Sequence, residues 1–227
     1  MEDKRNNQAS APQAFDINRA ADERPRITRL PKIVLASGSP RRAEILKTVN
    51  WPFEIVRPDI DETRQENEVA VTYVERLALT KAETIAEQIT SSLIVAADTT
   101  VVIGEQILEK PSDQNDARRM LSQLSGRWHQ VITGVALIDR AVSASRVAHE
   151  VTEVKFAEMS QDEIDWYASS GEPMDKAGAY AIQGLGARFI EGIRGDFFNV
   201  MGLPLRLLYE MVLLQIDDRD NPQNHRK

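Results

Sequence analysis

The residues best suited to chemistry first gather at Ser37-Gly38-Ser39-Pro40-Arg41-Arg42. Ser39 and Pro40 suit the N-cap and first position of a helix. A helix N-terminus already carries partial positive charge, so acids are expected in its first turn. Two arginines stand there instead. Their charges oppose the helix dipole, at on the order of 0.3–1 kcal/mol each at an exposed site. A bound polyanion reverses that balance. Free backbone N–H groups, the Ser37 and Ser39 hydroxyls and both guanidiniums can converge on phosphate oxygens. The plainer alternative sends both arginines into water or toward Glu44.

Four further places carry candidate groups. Asp98, in Ala96-Ala97-Asp98-Thr99-Thr100, follows a run that reads as a buried strand. That is the carboxyl edge where α/β sheets collect ligands, and a carboxylate there can hold a hard cation or take a proton from water. Aspartates also end strands routinely. Lys81 has Leu77, Ala78, Ala82 and Ile85 at offsets −4, −3, +1 and +4, inside or beside an apolar helical stripe. A lysine so placed either snorkels to solvent or reaches an internal anion. Lys110, before Pro111, is another cation, and Asp59-Ile60-Asp61-Glu62 is a group of acids after a strand; a solvated lysine and a charged turn are the plain readings. In Lys176-Ala177-Gly178-Ala179-Tyr180-Ala181-Ile182-Gln183-Gly184 the glycines permit close backbone approach and Gln183 can read a base edge. His129 lies in a strand-like run and reads as structural.

Alternating elements must position these groups. Ile33 to Ala36 is a short apolar strand, followed by a helix from Pro40 to about Val49 and a strand from Phe53 to Val56. A long helix covers roughly 68–89, and Leu93 to Ala97 is a third strand. Val101 to Ile103, a turn at Gly104 and Ile107-Leu108 suggest a hairpin. A helix over about 115–124 comes next, then strands at Val131 to Ile138 and Val147 to Phe156. Ser160-Gln161-Asp162-Glu163 is a capping box that opens a short helix. A strand at 188–193 and an apolar helix over 205–214 complete the series. The pattern is that of a single α/β domain over residues 32–216 with a mixed, twisted sheet flanked by helices. Residues 1–31 read as a flexible extension and 217–227 as a flexible polar tail.

Composition removes several classes of function. The 227-residue chain has no cysteine, which excludes disulfides, thiol catalysis and Cys-ligated metal. Its three histidines are far apart in sequence, so a multi-histidine centre is not expected. Net charge is −7, a poor basis for stable nucleic-acid binding. No apolar run approaches a membrane span and no apolar signal segment opens the chain; a cytoplasmic protein is the expectation.

In order along the chain, these pieces resemble the Maf family of nucleoside triphosphate pyrophosphatases. The likeness runs from about Ile33 to Leu214. It is carried by Leu35 to Arg42, Asp61-Glu62, Lys81-Ala82, Ala97-Asp98-Thr99, Glu109-Lys110-Pro111, Ser125-Gly126 with His129, Lys176 to Gly184 and Gly195 to Pro204. The resemblance implies a Maf/ITPase-like domain with a central cleft that splits triphosphates between the α and β phosphates, with Mg2+ or Mn2+. It implies Asp98 as proton acceptor, Arg41, Arg42, Lys81 and Lys110 as phosphate contacts beside Ser37 and Ser39, and Glu62 with Asp98 near the metal. Arg41, Thr99 and Gln183 fall where the base is chosen, and they resemble the branch acting on dTTP and UTP. A house-cleaning role on modified pyrimidine triphosphates and a homodimer are further expectations. The rival reading is a nucleotide-binding regulator of septum formation with little turnover. The long N-terminal arm departs from the family pattern without touching these motifs.

Overall fold

The computed structural model describes residues 13–14, 30–89 and 93–220. Its elements are β1 (Gln13–Ala14), β2 (Ile33–Ala36), α1 (Pro40–Thr48), β3 (Phe53–Val56), α2 (Ala70–Ala86), β4 (Leu93–Ile103), β5 (Gln106–Leu108), α3 (Gln114–Leu124), β6 (Trp128–Asp139), β7 (Ala144–Phe156), α4 (Gln161–Ser169), β8 (Ile190–Arg194), α5 (Phe197–Met201) and α6 (Leu205–Asp220). Three short 3-10 turns fill the stretch from Glu172 to Phe189. One mixed sheet runs in the order β1-β7-β6-β4-β2-β3, with β5 added to β4 and β8 to β7. Its β2–β3 and β2–β4 pairs are parallel, while β4–β6 and β6–β7 are antiparallel.

Alternation along the strands sorts the core into layers. Val34, Ala36, Ile94 and Ala96 face α2, where Ala78, Ala82 and Ile85 meet them. Ile33, Leu35, Leu93, Val95 and Ala97 face the other way, onto Leu46 of α1 and Leu207, Leu208 and Met211 of α6. Period-two geometry requires this split. A further cluster, with Leu121, Phe156 and Tyr167, packs α3 and α4 against the far ends of β6 and β7. Small residues permit the closest approach: a Cβ on Gly134 of β6 would lie 2.5 Å from the Val74 backbone of α2.

Three expectations need correction. The strand expected to end at Ala97 continues to Ile103, because β6 pairs with it unbroken from Leu93↔Asp139 to Val102↔Gln130; Asp98 therefore lies within a strand. The 217–227 tail is helical as far as Asp220, held where Arg219 pairs with Asp139, which is completely buried, and Arg146 pairs with Asp218. The third concerns α5 and the 3-10 turns, which short, glycine-interrupted sequence concealed. Of the expected 1–31 extension, only 13–14 and 30–31 belong to the described residues, and 13–14 pair in parallel with β7. The remainder of that extension, and 221–227 of the tail, lie outside the described residues.

Candidate active site

The cleft opens where β4 loses one neighbour. β2 follows β4 only as far as Leu35↔Val95, and β5 joins the same edge at Val101↔Leu108. Between them, 96–100 keep β6 on one side and have no strand partner on the other among the described residues. This resembles the switch points where open sheets bind ligands. The cavity there is about 420 Å³. Every expected site residue lines it: Ser37, Ser39, Arg41, Arg42, Glu62, Lys81, Asp98, Thr99, Lys110 and Gln183.

Asp98 and Thr99 continue the two alternating faces of β4. Asp98 extends the series through Ile94 and Ala96 toward α2. There Lys81 Nζ lies 2.6 Å from Asp98 Oδ1 and 2.6 Å from Glu62 Oε1. The lysine side chain is only 8% exposed, so of its two sequence readings the internal anion holds. Lys110 Nζ stands 3.6 Å from the other Glu62 oxygen. Burial pushes the Glu62 carboxyl up, but the Lys81 hydrogen bond and the nearby cations outweigh it and hold the group below the ordinary glutamate range. Tyr73 of α2 donates to the Glu62 carbonyl at 3.1 Å and fixes that loop.

Thr99 points to the opposite face. Arg42 donates from Nε to the Gly202 carbonyl at 2.8 Å, from Nη1 to Ser37 Oγ at 3.2 Å and from Nη2 to Thr99 Oγ1 at 3.3 Å. Gly202 ends α5 at φ +110°, a conformation that favours glycine, and this turn aims its carbonyl at the arginine. Thr99 Oγ1 meets Thr133 Oγ1 at 3.0 Å, and Thr133 donates to the Asn199 carbonyl at 3.1 Å. Burial lowers the guanidinium's pKa, opposed by Asp98. Ser39 makes no side-chain cap on α1; its N–H reaches Ser37 Oγ at 3.1 Å.

The third wall is the segment from Glu172 to Gly184. The Glu172 carboxylate accepts from Tyr167 Oη at 2.8 Å and from the N–H groups of Leu185 and Gly186 at 3.0 and 3.1 Å. Gly178, at φ +68°, lies so close to Val101 that a Cβ would come within 2.8 Å of it, and its N–H donates to the Glu109 carbonyl. Arg41 crosses to this wall, with Nη1 2.9 Å from Asp175 Oδ2. His129 is buried beneath it, 2.8 Å from Tyr180 Oη, and burial pushes its imidazole down to about 4. The ring stays neutral near pH 7, consistent with a structural role.

Sequence reasoning missed Arg57, Asp175 and the Gly202 carbonyl and gave Lys176 no role of its own within its motif; all four residues line the cleft. Asp175 adjoins the quoted Lys176 motif and was within reach; a backbone carbonyl has no sequence signal. Glu62 and Asp98 suit a small hard cation that keeps water and phosphate oxygens as its other ligands. Lys81 between them demonstrates that the pair accepts positive charge. Among the described residues no group of three or more His, Asp or Glu forms a protein-only cage, and no helix is long and apolar enough to cross a membrane.

Residues 32–214 match the family described as Maf-like protein. The dTTP/UTP pyrophosphatase of Symbiobacterium thermophilum is 46% identical over 183 residues, covering 81% of this chain and 93% of its own. That of Acetivibrio thermocellus is 49% identical over 188 residues (80% and 94%), and that of Vibrio vulnificus 48% over 186 (80% and 99%). The Ham1 protein of Staphylococcus aureus covers 83% of this chain and 99% of its own at 15% identity and a TM-score of 0.47, too slight a likeness to argue from. A family match over most of the described residues, with every expected site residue lining one opening of the sheet, makes this chain a member of the Maf family.

Proposed function

We propose that the protein hydrolyses dTTP and UTP to the monophosphate and pyrophosphate. The observation that carries this reading is the convergence of Asp98, Lys81 and Glu62 on one face of β4 with Arg42 and Thr99 on the other, at a single opening. Relatives close to half identical over nearly their full length and named for that activity support it. Water attacking the α phosphorus breaks the α–β bond, sends the electron pair to pyrophosphate and releases one proton. Asp98 is the group suited to take that proton, and Lys81 fixes its carboxylate toward the cleft. Arg42, held by neutral oxygens, keeps its charge for phosphate. Arg41 and Gln183 face the base and sugar from the third wall, where Gln183 can pair with a pyrimidine edge.

A divalent ion, Mg2+ or Mn2+, would be held by Glu62 and Asp98 and would supply charge neutralisation on the phosphates. A cytoplasmic homodimer is part of the same proposal. A regulator without turnover needs the cations but gives Asp98 no task, so the buried Lys81–Asp98 contact disfavours it.

The test is pyrophosphate release from each common and modified triphosphate with Mg2+ or Mn2+. Release from dTTP and UTP well above the purine triphosphates is expected. Nucleotide binding without release of pyrophosphate overturns the enzyme reading.

A further inference from the structure

Six cationic side chains line the cleft against three acids, a local excess of positive charge in a chain of net charge −7. Five of the six already have protein acceptors. Arg41 and Lys176 are tied to Asp175, Lys81 to Asp98 and Glu62, Lys110 to Glu62, and Arg42 to Ser37, Thr99 and the Gly202 carbonyl. Arg57 differs. It stands one residue past the carboxyl end of β3, and among the described residues its guanidinium has no hydrogen bond or ion pair. Its stem runs along the Ser37-Gly38-Ser39 turn, with Cδ 3.8 Å and Cγ 4.0 Å from where Gly38 would carry a Cβ. A Cβ at Gly38 would meet that stem at ordinary van der Waals distance.

We propose that Arg57 binds the terminal phosphates, the part that leaves as pyrophosphate. This rests on the activity proposed above. The sheet order places β4, β2 and β3 side by side, while the Gln183 loop lies across the opposite end, with Gly178 bonded to Glu109 beside β5. A nucleotide whose base meets Gln183 and whose α phosphate meets Asp98 extends its remaining phosphates over the Ser37–Ser39 turn toward β3. Arg57 is the cation at that end. Its five N–H donors are uncommitted, and its planar fork matches phosphate oxygens. Arg57 thereby favours triphosphates over shorter nucleotides, since only a full chain reaches it.

The test compares wild type with Arg57→Gln and Arg57→Lys by calorimetric titration with pyrophosphate and, separately, with dTMP, alongside kcat/KM on dTTP. Losing charge-assisted hydrogen bonds of this kind weakens binding by about tenfold or more. Arg57→Gln is expected to weaken pyrophosphate binding and lower kcat/KM by about that factor while dTMP binds as before; Arg57→Lys recovers part of the loss. Unchanged pyrophosphate binding, or an equal loss for dTMP, overturns the assignment. Because the titrations need no turnover, a wild type that binds pyrophosphate but releases none from dTTP sinks the activity and leaves the Arg57 result readable.

Discussion

Two cations flank neighbouring residues of β4, and they are held in opposite ways. Lys81 sits between two carboxylates, each 2.6 Å away, so its charge is consumed in orienting acids. Arg42 is held by a glycine carbonyl, a serine and a threonine, all neutral. Hydrogen bonds to neutral oxygens fix a guanidinium in place without cancelling its field. On the proposed function, one face of the strand presents an aimed base, and the other presents to the phosphates positive charge that no carboxylate contacts. A single strand can do both because successive side chains point to opposite faces.

The largest expected effect is on the first face. Asp98→Asn keeps the shape of the side chain but cannot accept the proton, and dTTP turnover should fall by about 10²–10⁴-fold while the melting temperature barely changes. Near-normal pyrophosphate release would erase the distinction between the faces. On the other face, Arg42→Ala removes a charged partner of phosphate, a loss of roughly 1.5–3 kcal/mol, or about 10- to 150-fold in kcat/KM for dTTP. That deficit should shrink modestly as salt rises, because a half-buried charge that meets phosphate in an open cleft is still partly screened. Equal effects at low and high salt would mean that Arg42 acts through packing alone.

Lys81→Met sharpens the comparison through pH. Glu62 titrates below its ordinary value of 4.5 in the folded protein, mainly because the Lys81 contacts outweigh burial. A carboxyl with a depressed folded pKa adds stability that is present above the unfolded value and lost as pH falls through the folded one. Without the lysine that support vanishes and two acids face each other. Lys81→Met should therefore melt below wild type at neutral pH, and the gap should narrow as pH falls below about 4.5 and wild-type Glu62 takes up its proton; a gap that does not change with pH would contradict the pairing. The smallest effect belongs to Thr99→Val, which removes one neutral hydrogen-bond partner of Arg42. About 0.5–1.5 kcal/mol translates into roughly a two- to tenfold rise in KM for dTTP, with kcat little changed.

Much of this site was legible because its charges break local rules. Arginines in the first turn of a helix and a lysine on an apolar stripe each have an anion as one of two readings, and the fold supplies Asp98, Glu62 and the cleft. The alternation of strands and helices likewise gave the mixed sheet. What stayed hidden depends on tertiary pairing. The 96–100 stretch of β4 has no sequence mark of its exposed edge, since that edge exists only because β2 stops and β5 starts late. Asp175 and Gly202 became visible once α5 and the 3-10 turns, too short for a periodic signal, brought them to the arginines. Helix α6 outlasts its apolar run because Gln215 and Arg219 reach the buried Asp139, and pairing across the protein cannot be read from a polar tail.

Gly134 lies directly across the ladder from Asp98, and its bare backbone lets α2 settle against β6. A single methyl group there would lift the helix and carry the lysine out of range of its carboxylates. A change at a residue that never meets the nucleotide would then mimic, in the kinetics, the deletion of a catalytic group. Tolerance to substitution in this enzyme is governed by spacing between layers as much as by proximity to the ligand.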